Sequence, residues 1–142
     1  MKYKNRLLTL FCLSFIFFAS SFKAYQIDVW EDLEVFHQAI ALTFHPAEDG
    51  DFEPIRNDSK ELLEAAQNLS KSKLPTYFEK SENDATKKEL LQNIQQLLEQ
   101  SEALHKLAQD KTTTNEMLLN ALKQLHATYH RIEEVNSTAK KK

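Results

Sequence analysis

Glycine scarcity constrains the fold of this chain more than any other feature. The 142 residues contain a single glycine, Gly50, and three prolines. Tight β-turns and phosphate-binding loops depend on glycine, because its backbone reaches conformations that other residues avoid. The composition therefore disfavours an all-β fold and a dinucleotide-binding α/β fold. Apolar residues instead recur at helical spacing along the chain, which predicts an all-α protein.

The start of the chain has the pattern of an export signal. Three basic residues precede an apolar run over residues 7–18, and small residues follow at Ala19 and Ser21. The run is shorter than the ~20 residues that a membrane-spanning helix needs. We therefore predict a cleaved signal peptide over residues 1–24 and a periplasmic or secreted mature protein that is not held in a membrane.

Removal of that segment changes both the charge and the possible metal ligands. Residues 1–24 carry four basic residues and no acidic residue, so the formal net charge moves from −3 to −7. An acidic protein is repelled by nucleic acid and by anionic membranes, and neither is an expected partner. Cys12, the single cysteine, also leaves. Any metal must then be held by imidazole, carboxylate or water.

The remaining residues, about 118 of them, suffice for one domain. Four amphipathic segments with short connections predict an up-down-up-down four-helix bundle over residues 25–135, followed by a mobile basic tail over 136–142. We expect the first helix over residues 28–44, ended by Pro46, and the second helix from Pro54. A capping box at Ser81 and Asp84 predicts the start of the third helix. A second capping box, at Thr113 and Glu116, predicts the start of the fourth helix, which should reach about Glu134.

Histidine placement is the main functional signal. His37 falls within the apolar stripe of the first helix, and His126 and His130 lie four residues apart on the last helix. Counted from the predicted helix ends, the three imidazoles could meet at one level between two antiparallel neighbours. They would form a site for Cu(II), Ni(II) or Zn(II). His45 and His105 are expected at the opposite end, as solvated helix caps or a weaker second site.

Other readings of these residues stay open. His37 could be a neutral core histidine hydrogen-bonded to a buried acceptor, and His126 and His130 could be half-exposed surface residues. No His-Glu-x-x-His motif occurs, and nothing resembles a Ser-His-Asp or Cys-His constellation. We therefore predict a binding protein and not an enzyme.

Residues 32–132 resemble the soluble periplasmic four-helix cytochromes, both the b-type and the c-prime group. The resemblance rests on Asp32-Leu33-Glu34 opening the first helix, on the four-helix layout, and on Tyr129-His130 near the end of the fourth. In the b-type family a methionine early in the first helix and a histidine late in the fourth ligate haem. The matching positions here are His37 and His130, so the resemblance implies bis-histidine binding of haem b.

Three functions follow from these observations. The first is metal binding through His37, His126 and His130, for sequestering, carrying or sensing the ion. The second is electron transfer by haem held between His37 and His130. The third is a cofactor-free stress or adaptor protein that binds a periplasmic protein partner. The sequence does not separate the first from the third.

Overall fold

A computed structural model describes residues 29–79 and 84–141 of the chain. These residues form helices and no strand: α1 is Glu31–Glu48, α2 is Glu53–Lys71, α3 is Thr76–Glu79, α4 is Asp84–Gln109, and α5 is Asn115–Lys140. The prediction of an all-α protein is confirmed for this part of the chain. The predicted signal peptide over 1–24 and the capping residue Ser81 lie outside the described residues.

The core is built from one apolar face of each long helix. On α1 the buried face includes Leu33, Phe36 and Ile40, and Phe36 and Ile40 are fully buried. His37, which the sequence placed in this stripe, lies at its edge and is half-buried. Burial of such large apolar side chains is the main force holding the helices together. The largest fully buried side chains of the other helices are Ile55, Leu62, Leu69, Phe78, Leu90, Leu97, Leu104, Leu118, Leu122 and Tyr129.

Side-chain hydrogen bonds show which ends of α1, α2 and α4 lie together. The Trp30 indole Nε1 at the start of α1 donates to Ser72 Oγ at the end of α2, over 2.9 Å. Ser59, near the start of α2, is 3.0 Å from Nδ1 of His105 near the end of α4. Each of these neighbouring pairs therefore runs antiparallel. Buried polar atoms that find partners in this way avoid a desolvation cost.

The last long helix completes the arrangement. Arg131 on α5 donates to Gln96 Oε1 on α4, and Arg56 near the start of α2 donates to the Thr113 carbonyl just before α5. Helix α5 also packs on α1: the Tyr129 ring stacks on Phe36, and the His126 ring packs against Phe44. We call this junction the α1–α5 seam.

Helix α1 continues through Pro46, so the predicted end before this proline is wrong. A proline removes the hydrogen bond of its own N–H and disfavours helix at the preceding residue. Here it falls in the final turn, and only Ala47 and Glu48 follow it in the helix. The Pro46 carbonyl accepts from the N–H groups of Asp49 and Asp51, at 3.1 and 2.9 Å, and Ala47 is buried in the core. Gly50 then leaves the helix with a φ of +90°, a conformation that favours glycine.

Helix α5 differs from its predicted bounds at both ends. Thr114 and not Thr113 is the N-cap, and its hydroxyl accepts from the N–H of Met117 at 3.2 Å. The helix then continues beyond the predicted end near Glu134 to Lys140. Residues 136–140, predicted as a tail without periodic structure, are therefore helical. Asn136 accepts a hydrogen bond from Tyr77, and Ala139 is buried, which explains the extension.

None of the helices described is both long enough and apolar enough to cross a membrane.

Candidate histidine site at the seam of α1 and α5

Four of the five histidines lie along the α1–α5 seam, in a group that we call the histidine patch: His37, His45, His126 and His130. His126 is its centre. The ring centroids of His126 and His130 are 4.4 Å apart, and those of His126 and His45 are 6.4 Å apart. The Phe44 ring packs against His126 at 4.3 Å and forms the apolar floor beneath it.

The structure brings together two of the three predicted metal ligands. His126 and His130 are adjacent, as their spacing of one helical turn requires. His37 has a different neighbour: its ring stacks on Tyr129, with centroids 4.8 Å apart and planes inclined by 9°. Among the residues described, no ring contact joins His37 to either of the other two. The predicted meeting of all three at one point is therefore not seen in this arrangement.

His45, and not His37, is the α1 histidine whose ring contacts that of His126. It was expected at the far end of the molecule, but it lies beside His126. The cause is the true length of α5. His45 lies fourteen residues after Glu31, and His126 lies fourteen residues before Lys140, so both stand about 21 Å from the same end of the antiparallel pair. Counting from Glu134 had placed His126 too close to that end.

Two histidines of the patch each contact a carboxylate through Nδ1. Nδ1 of His130 is 3.1 Å from the Glu133 carboxylate, and Nδ1 of His45 is 3.4 Å from Glu48. A carboxylate at Nδ1 favours the tautomer with its proton there, which leaves the lone pair on Nε2. Both pairs sit at the surface, where the His130 and His45 side chains are 55% and 64% exposed.

The surroundings of His126 favour its neutral form. Partial burial lowers the pKa of His126, and the positive charges that His130, His45 and His37 would carry lower it further, against an opposing effect of Glu48. The Tyr129 phenol is affected in the opposite sense. Burial first, and then the negative charges of Glu133 and Glu34, raise its pKa to about 12. Both shifts favour uncharged rings at the seam.

The residues described contain no group of three or more histidine, cysteine, aspartate or glutamate side chains placed to hold one metal ion. What a single chain offers is a pair of imidazoles, His126 and His130, on successive turns of one helix. Neutral imidazole is a good ligand for Zn(II), Cu(II) and Ni(II). Glu133, in contact with Nδ1 of His130, is the kind of carboxylate that commonly orients a metal-binding histidine.

The residues at the seam do not fit a haem held between His37 and His130. Tyr129 is the ring neighbour of both histidines, at 4.8 and 5.4 Å. It is 2% exposed and also stacks on buried Phe36 at 6.1 Å. A macrocycle between the two imidazoles would need the space that the phenol fills. This arrangement therefore gives no support to the haem b alternative.

The chain contains two Glu-x-x-His spacings that were not identified from the sequence: Glu34–His37 on α1 and Glu102–His105 on α4. Such pairs on two helices are typical of di-iron carboxylate bundles. Here both glutamates are exposed. Among the residues described, no group of three or more histidine, cysteine, aspartate or glutamate side chains is placed to hold one metal ion. The two pairs therefore do not form one centre.

His105 is the histidine outside the patch. Its Nδ1 contacts Ser59, which also accepts a hydrogen bond from the Gln109 side chain at 3.4 Å. This small polar network links α2 to α4 and accounts for His105 as a structural residue. A second site uniting His45 and His105 is not formed among the residues described.

Comparisons with protein-family models, with curated proteins and with solved structures gave no match for this chain.

Proposed function

We propose that this chain is an exported, up-down-up-down four-helix bundle that binds a divalent transition-metal ion through His126 and His130. The observation that carries the proposal is the 4.4 Å separation of these two rings at the α1–α5 seam. The antiparallel contacts of α1 with α2 and of α2 with α4 support the bundle topology.

The chemistry of the pair suits metal binding. A metal ion binds imidazole in its neutral form, and the pKa of His126 is lowered by burial and by its histidine neighbours. Glu133 at Nδ1 of His130 leaves Nε2 as the ligand atom. Among divalent ions, the general affinity order for such nitrogen ligands places Cu(II) above Zn(II) and Ni(II).

A role in holding or carrying the ion fits this pair better than catalysis does. Catalytic metal sites usually combine three protein ligands with one open position. The proposed pair supplies two ligands from one chain. The protein would therefore sequester, carry or sense a metal outside the cytoplasm.

Zn(II) titration by calorimetry tests the proposal. Wild-type protein, His126→Ala, His130→Ala and the control His105→Ala are compared at neutral pH. We expect His105→Ala to bind as the wild type does. Loss of either patch ligand should weaken binding about 100-fold or more, since loss of outer-shell partners alone costs 10–100-fold. Wild-type affinity in both His126→Ala and His130→Ala would reject the site.

A second candidate is an adaptor without a cofactor, and one observation favours it. Val35 and Leu42 lie seven residues apart on α1 and are 45% and 71% exposed. Residues at this spacing share a helix face, which a protein partner could cover. In that case Leu42→Lys would abolish partner binding, whereas replacement of the patch histidines would not change it.

A further inference from the structure

We infer that a second copy of this chain completes the metal site, so that one ion held by His126 and His130 joins two chains across a two-fold axis. The inference rests on the proposed function and names the partner of that same site. It follows from the number of ligands, from their exposure and from the charge around them.

One chain offers fewer imidazole ligands than a zinc ion usually takes. Zinc in proteins is four-coordinate in most sites. One chain presents the His126–His130 pair, and the described residues hold no group of three suitable side chains. Two copies related by a two-fold axis bring two identical pairs together, because the same patch then faces itself. The four imidazoles of two chains satisfy the coordination that one chain leaves incomplete.

The histidine patch is accessible to a second molecule. The side chain of His130 is 55% exposed, so its Nε2 can reach an ion shared with another molecule. Leu42 precedes His45 by one turn of α1 and is the most exposed of the large apolar side chains described, at 71%. Its burial against the second copy would add an apolar contact to the metal bridge.

The negative charge of carboxylates at the patch makes the association of two chains depend on metal. Two carboxylates lie at the patch: Glu133 is 3.1 Å from Nδ1 of His130, and Glu48 is 3.4 Å from Nδ1 of His45. Two such acidic surfaces repel each other when no ion lies between them. A divalent cation at the axis offsets this repulsion. The chain should therefore be monomeric without metal and dimeric with it.

Sedimentation velocity of the full chain tests the inference. The chain is measured with a chelator, with Zn(II) at one ion for two chains, and with chelator added back. We expect a monomer, a dimer and again a monomer, with about one bound zinc per dimer. His126→Ala and His130→Ala should stay monomeric with zinc. The control His105→Ala should dimerise, and so should His45→Ala, because His45 is not one of the four bridging ligands.

The outcomes separate this inference from the proposed function. Wild-type protein that binds one zinc per chain and stays monomeric would overturn the dimer and leave the metal site standing. Protein that binds no zinc would overturn both. A dimer that forms in the chelator, or that persists in both His126→Ala and His130→Ala, would also overturn the inference, because the association would then not depend on the bridge.

Discussion

The Tyr129 ring lies between His37 and His130 of the histidine patch. Its ring stacks on His37 on one side of the seam and contacts His130 on the same helix. The phenol is buried, so its ionised form is disfavoured. Tyr129 lies in the apolar core of the molecule. Its contact with His37 depends on how α1 and α5 are aligned, which the spacing within one helix does not reveal.

Tyr129 should ionise later than an ordinary tyrosine, because its pKa is raised to about 12. A raised folded-state pKa gives stability that is fully present below the unfolded value near 10 and is lost as the pH rises through about 12. Spectrophotometric titration of the phenolate in wild type and Tyr129→Phe measures this. The late step should disappear in the variant. A late step that survives the substitution would contradict the prediction.

His126 should titrate below its ordinary pKa of 6.5 in the metal-free protein, since burial and the neighbouring imidazoles oppose its charge. A lowered folded-state pKa means that the unfolded chain binds the proton first. The contribution of His126 to stability therefore falls as the pH drops below 6.5 toward the lowered pKa. NMR titration of the imidazole resonances reports it. His130→Ala should move the pKa of His126 back upward, and an unchanged value would contradict the assigned neighbour effect.

At the scale of the helix, register decides which α1 side chains are buried. The apolar spacing indicated the stripe but placed His37 within it, whereas Phe36 is fully buried and His37 is half-buried. Adjacent apolar and aromatic residues at 35, 36 and 37 fit more than one helical face, and only packing against the other helices selects among them. Pro46 and Thr114 show the same limit at helix ends, where boundaries shift by a few residues.

Substitutions at neighbouring positions test the register of α1. Phe36→Ala should reduce the free energy of unfolding by about 3–5 kcal/mol, because a buried aromatic ring leaves a cavity. Val35→Ala should change it by about 0.5 kcal/mol or less, because Val35 is 45% exposed. Urea denaturation measures both. Equal losses at the two positions would show that another face of the helix is buried.

For the whole molecule, the sequence was sufficient for the fold class and insufficient for the site. One glycine and helical apolar spacing led to an all-α protein, which holds for the residues described. The pair His126 and His130 was found because it lies within one helix. Their neighbour His45 was missed because its height depends on where α5 ends, and the contacts of Asn136 and Ala139 that extend α5 are made with other parts of the fold.

Metal binding at the patch should stabilise the folded state as a whole. An ion that binds the folded chain and not the unfolded chain adds about 2.7 kcal/mol at a free concentration 100 times its Kd. Thermal or urea denaturation with and without Zn(II) should show this gain in wild type and in His105→Ala. The gain should be lost in His126→Ala. A gain of the same size in His126→Ala would assign the stabilising ion to another place on the chain.

Electron paramagnetic resonance of Cu(II) added to the protein tests the assigned ligands most directly, because nitrogen couplings identify imidazole bound to the metal. We predict imidazole couplings in wild type and in His105→Ala, and a spectrum without them when His126 and His130 are both replaced by alanine. Imidazole couplings of unchanged strength in that double variant would contradict the account.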